Sequence, residues 1–221
     1  MPMRLIDLLP LPVGLIIGAT ATTLFLASGP STLAHSKNSQ SNAPSFFVVF
    51  PRYAYPQPIR EIDEVDFRNL TAPFFKPDGR CCYYSAELTN GRSFVRHELE
   101  SDDVALLAVN YLDPSPKHPA SFAVAIYRWE SEVGSASGYG AVNLYSVVNN
   151  KLMLLQQISF IAQKPGTGAS FDPSTRNVTV IASHYQDDPH YCPSKEDIIS
   201  FRWTGQFFQK ISIRTIRYSQ N

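Results

Sequence analysis

The chain has 221 residues, 44% apolar and 12% aromatic, and its nineteen Lys/Arg are balanced by nineteen Asp/Glu. That length suits one hydrophobic core. A neutral total with no Lys/Arg run argues against nucleic acid, which needs a basic face to displace counterions.

Residues 1–34 read as an export segment. Arg4 supplies a short positive start, and residues 13–27 (VGLIIGATATTLFLA) have the length of a signal-peptide core. Adding residues 8–12 brings the stretch near the roughly twenty residues that span a bilayer. A cleaved signal peptide and an uncleaved anchor over 8–27 are both open, and Thr32-Leu33-Ala34 offers small residues to a peptidase. Residues 35–45 are polar and aperiodic and read as a flexible linker. The remainder, 46–221, is expected to form one domain.

Residues 46–50 (FFVVF) predict a strand, after which Pro51, Pro56 and Pro58 break the pattern. Residues 59–65 suggest an acidic helical turn, and 66–69 the start of a strand with Phe67 inward. Residues 73–79 read as a loop. The next strand, 83–89, runs into Asn90-Gly91, a pair that tolerates positive φ and signals a hairpin. Residues 92–103 begin as strand, with a helical turn after it. Residues 104–111 (VALLAVNY) are almost all apolar and predict a central strand buried on both faces.

A proline-rich loop at 113–120 precedes a strand at 121–129. A Gly/Ser loop covers 130–139, and 141–148 with 151–161 form a hairpin around Asn149-Asn150. Residues 163–176 read as a connection. In the closing strands Ile199, Phe201 and Trp203 alternate with Ser200, Arg202 and Thr204, so one face is apolar and one is wet. Thr204-Gly205-Gln206 marks a turn. Beyond it Ile211 and Ile213 share one parity and Ile216 and Tyr218 the other, which places a bulge near Arg214-Thr215. The whole predicts a mainly β fold: a single antiparallel meander or sandwich-like domain with little helix, behind a hydrophobic export segment.

Two motifs carry a family resemblance. Tyr191-Cys192-Pro193-Ser194 is followed by Phe201-Arg202-Trp203-Thr204-Gly205, and upstream stands Val65-Asp66-Phe67-Arg68-Asn69-Leu70-Thr71. Over roughly residues 64–211 the chain resembles the LppP/LprE-like family of exported bacterial proteins, which has no assigned activity. The resemblance implies an extracytoplasmic β-rich domain, periplasmic or secreted, and no reaction. The chain departs from the family in two places. Where many relatives carry an acidic turn similar to calcium-binding turns, this chain has Asp113-Pro114-Ser115-Pro116-Lys117, with too few oxygens for calcium. Tyr191 stands where relatives often have cysteine.

Cys81, Cys82 and Cys192 are an odd number of thiols, and export would place them in an oxidising compartment. A disulfide from Cys192 to one of the vicinal pair would pin the closing loop to the early hairpin, with Cys82 the preferred partner. A Cys81–Cys82 bridge and three free thiols are the alternatives. His184, Asp187, Asp188, His190 and Cys192 are the one concentrated set of metal-capable side chains. Zinc favours such N and S donors, but Pro189 disturbs the spacing and a polar loop explains the aspartates without metal.

No Gly-x-Ser-x-Gly elbow is present, and Gly134-Ser135-Ala136-Ser137-Gly138 has the wrong spacing for one. No phosphate or dinucleotide loop follows a strand, so neither a catalytic residue nor a cofactor is assigned. Tyr83, Tyr84, Tyr127, Trp129, Tyr139 and Tyr145 are expected to pack the sheet rather than line a binding face. The expectation is an exported, envelope-associated module that binds or holds an unknown protein or envelope ligand and touches a membrane only through its N-terminal segment. An exported hydrolase with a dispersed active site is the alternative. Convergence of His118, His184 and Asp188 in one pocket would favour it.

Overall fold

The structure is a computed structural model that describes residues 44–75, 84–96, 101–112, 121–131, 138–163, 166–184 and 193–217. These belong to one compact unit. The strands are β1 (Phe46–Val49), β2 (Tyr53–Pro58), β3 (Thr71–Phe74), β4 (Tyr84–Glu87), β5 (Arg92–Arg96), β6 (Ser101–Leu112) and β7 (Phe122–Ser131). They continue with β8 (Gly138–Val148), β9 (Lys151–Ile161), β10 (Gly168–Asp172), β11 (Asn177–His184), β12 (Lys195–Trp203) and β13 (Phe208–Arg217). Every pairing is antiparallel, and no α-helix occurs among the described residues. The mainly β, antiparallel expectation therefore holds.

β5 to β9 form a meander, and β1 and β2 lie end to end along the far side of β9, completing a seven-stranded sheet. β10 to β13 form a second meander of four strands, and β3 pairs β4 alone. Parity assigns the layers. On β7, Ala123, Ala125 and Tyr127 join a core built with Ile62, Phe67, Ala72, Phe74 and Ala86. The intervening Val124 and Ile126 join a core built with Val178, Val180, Ile199, Phe201 and Trp203. Successive strand residues point to opposite faces. The seven-stranded sheet is thus the middle layer, covered on one face by the four-stranded sheet and on the other by the β3–β4 ribbon and its flanking turns.

The Asn149-Asn150 turn matches expectation: both residues sit at positive φ, 53° and 58°, as a two-residue hairpin between right-twisted strands requires. Asn90-Gly91 makes an equally tight turn, at 55° and 84°, but closes only the single bridge Thr89↔Arg92. The hairpin expected there is not built, because β4 turns to β3 and β5 to β6.

Other expectations need correction. Residues 66–69 begin a 3-10 turn rather than a strand; Asp66 accepts the Arg68 N–H at 3.1 Å and the Asn69 side-chain amide at 2.7 Å, which bends the chain while still burying Phe67. Pro56 and Pro58 do not end strand structure; β2 carries them at a rim where a missing N–H is tolerated. Pro73, read as loop, lies in β3. Of the stretch expected to hold a helical turn after β5, residues 101–103 are the start of β6, and residues 97–100 lie outside the described residues. β10 lies within the stretch read as a connection, recruited by pairing with β11.

β6 is not buried on both faces. The register slips at Leu107, which stands 57% exposed, and Tyr111 is exposed as well. The bulge in β13 falls at Ile211, since Ser200 pairs Ser212 and Phe201 pairs Lys210, three residues before its expected place.

Candidate functional site

Polar groups inside a β fold need partners, and their partners show what they are for. Gln156 and Gln157 are fully buried neighbours on β9 that point into opposite cores. The Gln156 amide donates to the Phe208 carbonyl at 2.8 Å and its oxygen accepts the Phe208 N–H at 2.7 Å. Gln157 does the same for the other layer: it donates to the Pro73 carbonyl and accepts the Phe75 N–H, each at 2.8 Å. It also donates to Asn143 at 2.8 Å, and Asn143 donates to the Tyr145 hydroxyl at 2.9 Å. These groups join layers through the bonds they make.

His184 is the only histidine among the described residues, and its ring meets Asp197. Nδ1 lies 2.7 Å from Asp197 Oδ2, which also accepts the Ser45 hydroxyl at 2.5 Å; Oδ1 accepts the Thr215 hydroxyl at 2.6 Å. The Asp197 side chain is 3% exposed. Burial pushes its pKa up, but hydrogen bonds from His184, Ser45 and Thr215 outweigh that and hold the carboxyl below its ordinary range. The ionised carboxylate only accepts, so Nδ1 carries the hydrogen.

A serine, a histidine and an aspartate thus meet, but not as a catalytic triad. There the serine hands its proton to the imidazole while the aspartate orients the ring from behind. Here Ser45 and His184 donate to the same carboxylate oxygen. The cluster ties the entry to β1, the end of β11 and the closing residues of β13 to β12 through Ser45, His184 and Thr215.

Asp187, Asp188 and His190 lie outside the described residues, as do Cys81, Cys82, Cys192 and His118. Of the aromatic set, Tyr127 and Tyr145 are core residues with hydroxyls 3.4 Å apart. Tyr84 stacks on Trp129 at 5.0 Å between centroids, and Tyr139 tilts against the same indole at 5.3 Å. Tyr83 is outside the described residues.

Two surface features remain. A cavity of about 190 Å³ on the β5–β7 corner is lined by Arg92, Asp103, Ala105, Leu107, Arg128 and Glu130. It is smaller than the roughly 300 Å³ at which small-molecule pockets begin, and Arg128 Nε contacts Glu130 Oε1 at 2.5 Å. The other feature is β13, exposed from Gln209 to Thr215, with Ile211 46% and Ile213 49% exposed. Beside it, exposed Phe50 and Phe207 meet edge to face at 5.9 Å, and Lys210 Nζ stands 5.5 Å from the Phe46 ring centroid.

Sequence reasoning located the two isoleucines by parity but missed the strand as a surface. The available signal was a ten-residue strand carrying Lys210, Arg214 and Arg217 and no acidic residue. Comparison of the chain with family models, curated proteins and solved structures finds no match.

Proposed function

We propose that this chain is an exported, non-enzymatic binding module of the cell envelope that holds a partner along β13. The observation that carries the reading is the exposure of Ile211 and Ile213 among Lys210, Arg214 and Arg217 on a strand at the rim of its sheet. Contiguous exposed apolar surface rimmed by charge is the usual mark of an interaction site. The wiring of Ser45, His184 and Asp197 supports the non-enzymatic half, because the serine proton points at the carboxylate. Export draws support from the apolar stretch at 13–27 and from the resemblance of residues 64–211 to the LppP/LprE-like family.

The test is photo-crosslinking in intact bacterial cells, with the photoreactive residue at position 213 or, as a control, at exposed Val148, followed by fractionation. Discrete adducts at 213 alone, on protein outside the cytoplasm, are the expected result. Equal labelling at both positions would remove the binding reading, and a cytosolic full-length chain would remove the export reading.

A further inference from the structure

The binding-module reading leaves the chemistry of the partner open, and the geometry of β13 narrows it. β13 is the terminal strand of the four-stranded sheet, and among the described residues nothing pairs with its outer edge. It contains neither proline nor glycine; Lys210 and the bulge at Ile211, devices that blunt an edge, fall in its first half and leave residues 212–217 as the regular open stretch. At its first residue the edge is occupied. In an antiparallel ladder the N–H and C=O of one residue point to the same side, and both Phe208 groups go to Gln156. They therefore face away from Trp203, the β12 partner of Phe208. From Gln209 onward, no comparable side-chain bond covers the edge among the described contacts.

The faces of the strand are as open as its edge. Ile213 is registered with Ile199, a fully buried core residue, and so lies on the core-facing side of its sheet. It is nonetheless half exposed: the apolar face continues past β1, whose Phe46 packs on Phe201 and beneath Lys210. An added strand would cover this face and satisfy the backbone edge together.

We infer that β13 accepts an extended, acidic, β-branched segment of a partner protein by strand addition, resting this on the binding-module reading above. Backbone pairing supplies the attachment and alternate side chains supply the choice of partner. Lys210, Arg214 and Arg217 set that choice, since the strand has no carboxylate to neutralise them. A lipid surface is a poorer occupant, because hydrocarbon cannot satisfy a row of N–H and C=O groups. A second copy is also poorer, because pairing β13 with itself gathers Lys210, Arg214 and Arg217 of both chains on one ribbon.

The test titrates the full chain with a labelled peptide of alternating glutamate and valine, as long as β13, and with its lysine–valine counterpart. Hydrogen exchange is read on the same mixtures. The acidic peptide is expected to bind at least ~10-fold more tightly at low salt and to slow amide exchange between Gln209 and Arg217. R214E/R217E is expected to reverse the preference without changing the circular dichroism spectrum, since both side chains are exposed. Equal affinity for the two peptides, or protection confined to other strands, overturns the proposal. If vesicles of anionic lipid bind through β13, or the chain dimerises through it, and the acidic peptide does not bind, the acidic-strand proposal falls and the binding-module reading stands. If peptides, vesicles and a second copy all leave β13 unprotected and position 213 gives no adduct in cells, both fall.

Discussion

Gln156 and Phe208, 52 positions apart, exchange two hydrogen bonds at 2.8 and 2.7 Å, so that one side chain acts as a single rung of β ladder between two sheets. The amide is the one neutral side chain with an acceptor and a donor arranged like those of a peptide group. Buried as it is, it replaces water that would otherwise have to reach Phe208.

Replacing that amide by a hydrocarbon of similar size leaves the Phe208 N–H and carbonyl without this partner. An unmet buried polar group costs about 1–3 kcal/mol. Q156L is therefore expected to lower the unfolding free energy by about 2–4 kcal/mol in a denaturant titration. A change near zero would mean that water enters and takes over the rung.

Gly140 pairs directly with Phe160 across the β8–β9 ladder, and a Cβ built on Gly140 would fall 2.1 Å from the Phe160 ring. The ring occupies the space a side chain would need. G140A is expected to cost about 1–3 kcal/mol through overpacking. F160L should recover part of that loss in the double variant, because the obstructing atoms are gone. Strict additivity of the two changes would refute this account of the glycine.

Acid should weaken the fold through Asp197. Its folded-state pKa lies below the unfolded value, so the unfolded chain binds more protons in the acid range. The stabilisation is complete above the unfolded carboxylate range of about 4 and is lost as pH falls through the folded value. Melting temperature followed from pH 7 downward should drop below about pH 4, and D197N should flatten that limb while melting lower at neutral pH. Asp172, held at about 2 by Ser174 and Thr175 in an exposed turn, gives the control. D172N should leave the neutral-pH midpoint nearly unchanged.

Base should act through the tyrosines. Burial pushes Tyr55, Tyr127 and Tyr145 above the ordinary phenol value. Their contribution is complete below the unfolded value near 10 and is lost as pH rises from there toward the folded values. Ultraviolet titration should show these phenols ionising only together with loss of β-sheet circular dichroism. Smooth, reversible titration of every tyrosine in the folded protein would contradict their burial.

Much of this architecture can be read from local chemistry. Asn149-Asn150 announces its turn because two consecutive residues must hold positive φ, and Ile199, Phe201 and Trp203 announce a buried face by parity. Longer-range choices are not local. Asn90-Gly91 makes its turn correctly, yet its strands separate to different partners, a decision taken by β3 and β6. β10 is a weak strand on composition and forms because β11 offers it an edge. The two glutamines of β9 do leave a trace, as adjacent amides inside an otherwise apolar strand, and Asp197 leaves another by sharing parity with Ile199 and Phe201. Neither trace names its partner, since Phe208, Pro73 and Ser45 are brought in only by tertiary packing. His184 leaves a trace as well, but its carboxylate partner, Asp197, comes from the next strand and is not named by the local sequence.

The opposed directions of Gln156 and Gln157 also constrain how this gene can change length. A codon gained between Gln156 and Gln157 would turn Gln157 away from Pro73 and Phe75, stranding the two main-chain groups it serves, and would carry Ile158 and Phe160 out of the layer they now pack in. Insertions and deletions compatible with folding should therefore collect in the connections and spare this short stretch.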